Sequence, residues 1–158
     1  MTNVVVVDDH PLIREGLINI LEEEPNLKVV GEAGNAPEAQ RLLKKNAVDI
    51  AVLDISLPGK DGLELMKDIK LRYPHLSVLI LSMHPEDRFA IRALKGGASG
   101  YVTKEMAPEE LVKAINQILG GRKYISNNLA EKLAEIISID SEKPPHESLS
   151  DREFQVFM

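Results

Sequence analysis

The sequence of 158 residues contains no cysteine, so disulfide bonds, thiolate-bound metals and cysteine nucleophiles are excluded. No apolar stretch approaches the roughly 18 residues of a membrane-spanning helix, and the N-terminal residues MTNVVVVDDH lack the basic start and long apolar core of an export signal. The net charge of -6 argues against a broad basic surface for binding nucleic acid. We therefore expect a cytoplasmic protein without a membrane partner.

The residues that are present alternate between short apolar runs and amphipathic stretches. Strands are predicted at residues 3–7, 27–33, 49–53, 77–81 and 100–103, and helices at residues 11–23, 36–45, 62–73, 86–94 and 108–119. Apolar strands separated by amphipathic helices predict a parallel sheet covered on both faces. With right-handed crossovers, we expect a doubly wound α/β fold of the flavodoxin type, with five strands in the order 2-1-3-4-5. The first helix is expected to turn Leu12, Leu17, Ile20 and Leu21 toward the core.

The pattern changes after Gly121. Residues 127–137 (NNLAEKLAEII) predict a sixth helix, which is either a packed linker helix or a dimer contact, and the polar stretch SIDSEKPPHES resembles an interdomain linker. Residues 148–158 (SLSDREFQVFM) begin another helix. We therefore predict a globular domain at residues 1–122, a linker helix and linker at 123–147, and the start of a second module at 148–158.

Three carboxylates stand at the ends of two predicted strands. Asp8 and Asp9 follow the first strand, and Asp54 follows the third. In the order 2-1-3-4-5 these strands are neighbours, and their carboxyl ends flank the switch point where such sheets bind ligands. Two carboxylates about 4 Å apart repel by roughly 1 kcal/mol in water and about 4 kcal/mol at an effective dielectric constant near 20. A cation is therefore needed, and a small site with oxygen ligands and open positions suits Mg²⁺.

A carboxylate beside such an ion can also act as a nucleophile and form an acyl phosphate with a phosphoryl donor. The metal and a lysine would then neutralise the phosphoryl charge. Lys104 follows the fifth predicted strand, and Ser82 ends the fourth, where its hydroxyl can reach a phosphoryl oxygen. His10, His75, His84 and His146 show no ligand spacing, so we do not expect a zinc site.

Five motifs together carry a resemblance: the pair Asp8-Asp9, DISLPGKDG at residues 54–62, LILSMH at 79–84, ALKGGASGYVTK at 93–104 and SLSDREFQVF at 148–157. In combination they resemble the receiver domain of two-component response regulators, in the subgroup with a LuxR-type helix-turn-helix output domain. The resemblance implies that residues 1–122 are the receiver and that 148–158 are the start of a truncated DNA-binding domain.

The resemblance also implies roles for the acidic cluster. Asp54 would accept a phosphoryl group from a sensor histidine kinase, and Lys104 would pair with that group. Asp9, Asp54 and the Ser56 carbonyl would ligate Mg²⁺, and Asp8 would help through water. The protein would catalyse its own phosphorylation and its slow dephosphorylation, and it would not be an enzyme in the ordinary sense.

The conformational switch implied by the resemblance consists of Ser82 and Tyr101. If the Ser82 hydroxyl moves toward a phosphoryl oxygen, the Tyr101 ring can enter the vacated space and change the neighbouring surface. The complete regulator would bind DNA through its C-terminal domain, and a homodimer is a further expectation. Two alternatives remain at this point: a receiver that acts alone through protein contacts, and a Mg²⁺-dependent aspartyl phosphohydrolase. The second typically carries an acid two residues after its nucleophile, where this chain has Ser56.

Overall fold

The computed structural model of the chain describes residues 1–57, 62–82 and 87–125, with the backbone alone at residues 87–89. These residues belong to the first of the two compact units into which the chain divides, Met1–Ser126. The predicted helix at 127–137, the remainder of the predicted linker and the module start at 148–158 lie outside the described residues. No helix within the described ranges has the length and apolar character needed to cross a bilayer.

Strands and helices alternate along the whole described part of the chain. The strands are β1 (Thr2–Val7), β2 (Leu27–Ala33), β3 (Ile50–Asp54), β4 (Ser77–Ser82), β5 (Gly100–Thr103) and β6 (Tyr124–Ile125). The helices are α1 (Pro11–Glu22), α2 (Ala36–Lys45), α3 (Gly62–Arg72), α4 (Asp87–Lys95) and α5 (Ala107–Leu119). The bounds predicted for β1 to β5 and for the five helices agree with these within one residue.

Local chemistry explains where several helices begin and end. Pro11 occupies the first turn of α1, where a missing backbone N–H costs nothing. Helix α2 begins with a reciprocal cap, because the Asn35 side chain accepts a hydrogen bond from the Glu38 backbone at 3.0 Å while the Glu38 side chain accepts one from the Gly34 backbone at 2.9 Å. After α5, Gly121 takes a left-handed conformation with φ of 87° and turns the chain back toward the sheet.

The strands form one parallel sheet in the order β2-β1-β3-β4-β5-β6. The predicted flavodoxin-like order of the first five strands is confirmed. The short strand β6 was not predicted, and it lies within residues assigned to the linker from the sequence. It pairs with β5, and the Tyr124 backbone donates a hydrogen bond to the Ser99 carbonyl at 2.9 Å.

Helices cover both faces of the sheet. One face packs on α1 and α5 through a buried cluster that includes Val4, Val6, Val52, Leu79, Leu81 and Val102 from the strands. Side chains alternate along a strand, so the intervening residues face α2, α3 and α4. This arrangement buries β1, β3 and β4 on both sides, which explains why their sequences are apolar throughout.

The prediction for Leu12 was wrong, because 84% of this residue is exposed. Leu17 and Leu21 are buried as expected, and Ile20 is partly buried against the same cluster. At roughly 100° per residue, Leu12 lies about 140° around the helix from Leu17 and on the opposite side from Leu21. Ile13 packs against the core instead.

Candidate functional site

The register of the sheet brings the carboxyl ends of four strands to one edge. Val7 pairs with Leu53 across β1 and β3, so Asp8 and Asp54 follow at the same level. Asp54 pairs with Leu81 on β4, and the Lys104 backbone donates to the Ser82 carbonyl at 2.7 Å. Asp8, Asp54, Ser82 and Lys104 therefore lie at one edge of the sheet, at the switch point between β1 and β3.

Lys104 joins two of the acidic residues. Its Nζ lies 2.9 Å from Asp54 Oδ2 and 3.0 Å from Asp8 Oδ2, and all three side chains are buried. Burial alone lowers the pKa of Lys104, but the hydrogen bonds and charges of Asp54 and Asp8 together outweigh burial and raise it above the ordinary value of 10.5. Lys104 is therefore held in its charged form between two buried carboxylates.

Asp54 is fully buried, and its two side-chain oxygens have different partners. Oδ1 accepts a hydrogen bond from the Ser56 backbone at 3.0 Å, and Oδ2 accepts one from Lys104. Gly62 packs directly on its backbone, since a Cβ added at Gly62 would lie 2.3 Å from the Asp54 carbonyl oxygen. Only glycine fits at this position without a shift of the β3 end.

Asp8 and Asp9 complete the acidic cluster around Asp54. Oxygen or nitrogen atoms of Asp8, Asp9, His10 and Asp54 all lie within 4.8 Å of one another. Among the described residues, Asp8 Oδ2 and Asp9 Oδ1 are buried and accept no well-directed hydrogen bond, although each has a side-chain nitrogen at 3.0 Å. Carboxylate oxygens that are only partly satisfied, in a group this compact, fit a divalent cation that prefers oxygen ligands.

Two residues that contact the acidic cluster were not predicted from the sequence. His10 was dismissed because the histidines show no ligand spacing, yet its Nδ1 lies 3.1 Å from Asp8 Oδ1 and 3.0 Å from Asp9 Oδ1. Arg14, on the first turns of α1, donates through Nη1 to the Asp8 carbonyl at 2.6 Å and through Nε to Glu32 at 2.8 Å. In the sequence, the only sign of a role for His10 is its position directly after Asp8 and Asp9.

Ser82 and Tyr101 are both buried, at 1% and 2% exposure. Leu81 and Val102 belong to the cluster against α1 and α5, so strand alternation places Ser82 and Tyr101 together on the opposite face. The Ser56 side chain is exposed, and its contribution to the pocket comes from its backbone.

The sheet order and the pocket at its switch point define a doubly wound α/β protein whose site is built from buried carboxylates and a lysine. Residues 4–116 match the response regulator receiver domain. The chain belongs to this family of signalling proteins and is similar throughout to regulators of the LuxR type.

Three comparisons support this membership. The chain is 38% identical over 160 residues to the response regulator UvrY of Escherichia coli K12, covering 100% of this chain and 73% of UvrY. It is 38% identical over 154 residues to the DNA-binding transcriptional activator DevR/DosR of Mycobacterium tuberculosis, covering 97% of this chain and 71% of that protein. A LuxR-family two-component response regulator from Aurantimonas sp. SI85-9A1 superposes with a TM-score of 0.82 at 42% identity, covering 87% of this chain and 99% of that structure.

Proposed function

We propose that Asp54 is the phosphoacceptor of this response regulator and that a sensor histidine kinase is its donor. The observation that carries the proposal is the ion pair of 2.9 Å between Asp54 and Lys104, inside a pocket that also contains Asp8 and Asp9. A buried carboxylate with a fixed ammonium beside it is suited to accept a phosphoryl group, since the ammonium neutralises charge that develops on the transferred oxygens.

The charge of the pocket supports Mg²⁺ as the cofactor. Three ionised carboxylates and one ammonium leave two negative charges uncompensated, which one Mg²⁺ neutralises. Asp9, Asp54 and the Ser56 carbonyl would hold the ion, with Asp8 acting through water. When bound, Mg²⁺ would shield the negative charge that the incoming phosphoryl group shares with the acceptor carboxylate.

In the reaction, a carboxylate oxygen of Asp54 forms a bond to phosphorus while the P–N bond of the donor phosphohistidine breaks. The electron pair of that bond goes to the donor imidazole. Lys104 then pairs with the oxygens of the transferred group. Apart from this reaction and the slow hydrolysis of the acyl phosphate, we propose no turnover, because Ser56 supplies no acid two residues after Asp54.

The output would depend on Ser82 and Tyr101. The Ser82 hydroxyl would move toward a phosphoryl oxygen, and the Tyr101 ring, which shares its face of the sheet, would repack in response. Such a change requires only that the phosphoryl group interact more favourably with one of two arrangements of Ser82 and Tyr101 than with the other.

The partners of the complete regulator are inferred from those of its relatives. Because DevR/DosR is described as a DNA-binding transcriptional activator and covers 97% of this chain, we propose that the complete protein regulates transcription by binding DNA through a C-terminal helix-turn-helix domain. Binding as a homodimer, a domain boundary near residue 122 and a cytoplasmic location stay predictions from the sequence.

The test is phosphorylation by acetyl phosphate in the presence of Mg²⁺, followed by intact-protein mass spectrometry. We expect the wild type to gain the mass of one phosphoryl group, and Asp54→Asn to gain none. The matched control is Asp49→Asn, because Asp49 immediately precedes the amino end of β3 and its side chain can still accept the hydrogen bond from Asn3 as an amide. Equal labelling of wild type and Asp54→Asn would remove Asp54 from its role. A wild-type reaction that proceeds unchanged in EDTA would exclude Mg²⁺ as the cofactor.

A further inference from the structure

His10 occupies a position that the proposed phosphotransfer chemistry does not use. Its side chain is half exposed, at 51%, and its Nδ1 reaches into the acidic pocket. The distances from Nδ1 are 3.1 Å to Asp8 Oδ1, 3.0 Å to Asp9 Oδ1 and 3.9 Å to Asp54 Oδ2. The imidazole therefore contacts the same carboxylates that would hold a divalent cation.

The neighbours of Nδ1 decide whether it donates or accepts. Lys104 Nζ lies at 3.4 Å and could donate to a lone pair on Nδ1. The Asp8 and Asp9 oxygens are both closer, and a lone pair aimed at two carboxylate oxygens would be repelled by both. Nδ1 therefore carries a hydrogen and donates it to Asp8 Oδ1, with Asp9 Oδ1 in close contact, so in this arrangement it does not serve as a metal ligand.

The imidazole and a bound ion compete for the same space among the carboxylates. Mg²⁺ binds oxygen at roughly 2.0–2.1 Å in near-ideal octahedral geometry. Nδ1 lies 3.0 Å from Asp9 Oδ1, 3.1 Å from Asp8 Oδ1 and 3.9 Å from Asp54 Oδ2, so it occupies space among the oxygens that the ion would approach.

The His10 side chain can leave without disturbing the fold around it. His10 is the N-cap of α1, but its side chain makes no capping hydrogen bond. The local turn is held by the backbone, because the His10 N–H donates to Asp8 Oδ1 at 2.8 Å. Rotation of the half-exposed ring into solvent therefore opens the pocket while the backbone of the acidic loop stays in place.

We propose that the His10 imidazole is a placeholder for the divalent cation, which must displace it from Asp8 and Asp9 in order to bind. This inference rests on the proposed Mg²⁺ site and adds a residue that sets its affinity. His10 would change the Mg²⁺ affinity through its contacts with the carboxylates and would not bind the ion itself.

The test is the Mg²⁺ affinity of the whole chain, measured by isothermal titration calorimetry at one fixed pH. We expect His10→Ala to bind Mg²⁺ about threefold to tenfold more tightly than the wild type, because the ion no longer has to break the hydrogen bond between His10 and Asp8. His75→Ala is the matched control, because His75 is exposed near the amino end of β4, opposite the pocket, and its removal should leave the affinity unchanged.

A second measurement needs no variant. In two-dimensional NMR spectra of the wild type, the imidazole Cε1–H signal of His10 should move during Mg²⁺ titration, with the signal of His75 unaffected. Unchanged affinity in His10→Ala, or a motionless His10 signal while Mg²⁺ binds, would overturn the placeholder. Weaker affinity in His10→Ala would overturn it as well and make His10 a ligand. If the wild type binds no Mg²⁺ in either measurement, the proposed cofactor fails and the placeholder fails with it.

Discussion

Replacement of Lys104 by methionine should reveal how much of the stability of this domain depends on the charge balance of its pocket. The Lys104 side chain is 4% exposed and bridges Asp54 at 2.9 Å and Asp8 at 3.0 Å, with both carboxylates fully buried. Methionine has a similar length and fills the volume, so the variant isolates the loss of charge from the loss of packing.

The loss of stability in Lys104→Met comes from Asp54 and Asp8, which stay buried without a cation beside them. Removing one partner of a buried ion pair costs about 3–5 kcal/mol, and we expect the lower end, about 3 kcal/mol, because the volume is retained. For a domain of this size, each kcal/mol shifts Tm by roughly 2–4 °C, so the melting temperature should fall by about 6–12 °C in EDTA. Mg²⁺ should stabilise the variant more than the wild type, because its pocket carries one more uncompensated negative charge.

The pH dependence of this contribution has a definite sign. Burial lowers the pKa of Lys104, but Asp54 and Asp8 together raise it above 10.5. A group whose pKa is raised in the folded state contributes stability that is fully present below its unfolded value and is lost as the pH rises through the folded value. The difference between wild type and Lys104→Met should therefore be constant across neutral pH and shrink only above about pH 10.5.

The assay is thermal and urea denaturation, both followed by circular dichroism, with EDTA and with excess Mg²⁺. Lys113→Met is the matched control, because Lys113 is exposed on α5 and its change should stay within about 0.5 kcal/mol. Adding Asp8→Asn to Lys104→Met should restore at least about 1 kcal/mol, since it removes one of the repelling carboxylates. The reasoning is refuted if Lys104→Met matches the control in EDTA, or if Asp8→Asn destabilises the double variant further.

Two further predictions concern other positions of the fold. Gly62→Ala should destabilise the domain by about 2 kcal/mol or more and slow phosphorylation, because its Cβ would meet the Asp54 carbonyl at 2.3 Å. Gly16→Ala, in α1 with no atom within 4 Å of the added Cβ, should stabilise by roughly 0.5–1 kcal/mol, and equal urea midpoints for the two variants would contradict the steric argument. Burial raises the pKa of Tyr124, and its 2.6 Å hydrogen bond to Glu110 adds to the shift. The wild type should therefore lose stability above about pH 10 more steeply than Tyr124→Phe, and parallel unfolding curves against pH would contradict this.

The sequence determined the order and bounds of β1 to β5 and of the five helices, because apolar periods of 2 and 3.6 residues and the turn residues between them are local properties. It also determined the fold class, since an alternation of apolar strands and amphipathic helices has few right-handed solutions. The site residues Asp54 and Lys104 could be predicted for the same reason, because each stands at the carboxyl end of a strand and those ends share one edge of a parallel sheet.

The tertiary structure decided what depends on distance between remote residues. Strand β6 forms because the turn at Gly121 brings Tyr124 beside β5, and two residues have too little pattern to predict a strand. Leu12 is apolar in sequence but exposed, because its angle around α1 points it away from the sheet. The approach of His10 to the carboxylates and the contact of Gly62 with Asp54 depend on side-chain rotamers and loop paths, and these are set by packing across the whole domain, which no local sequence pattern encodes.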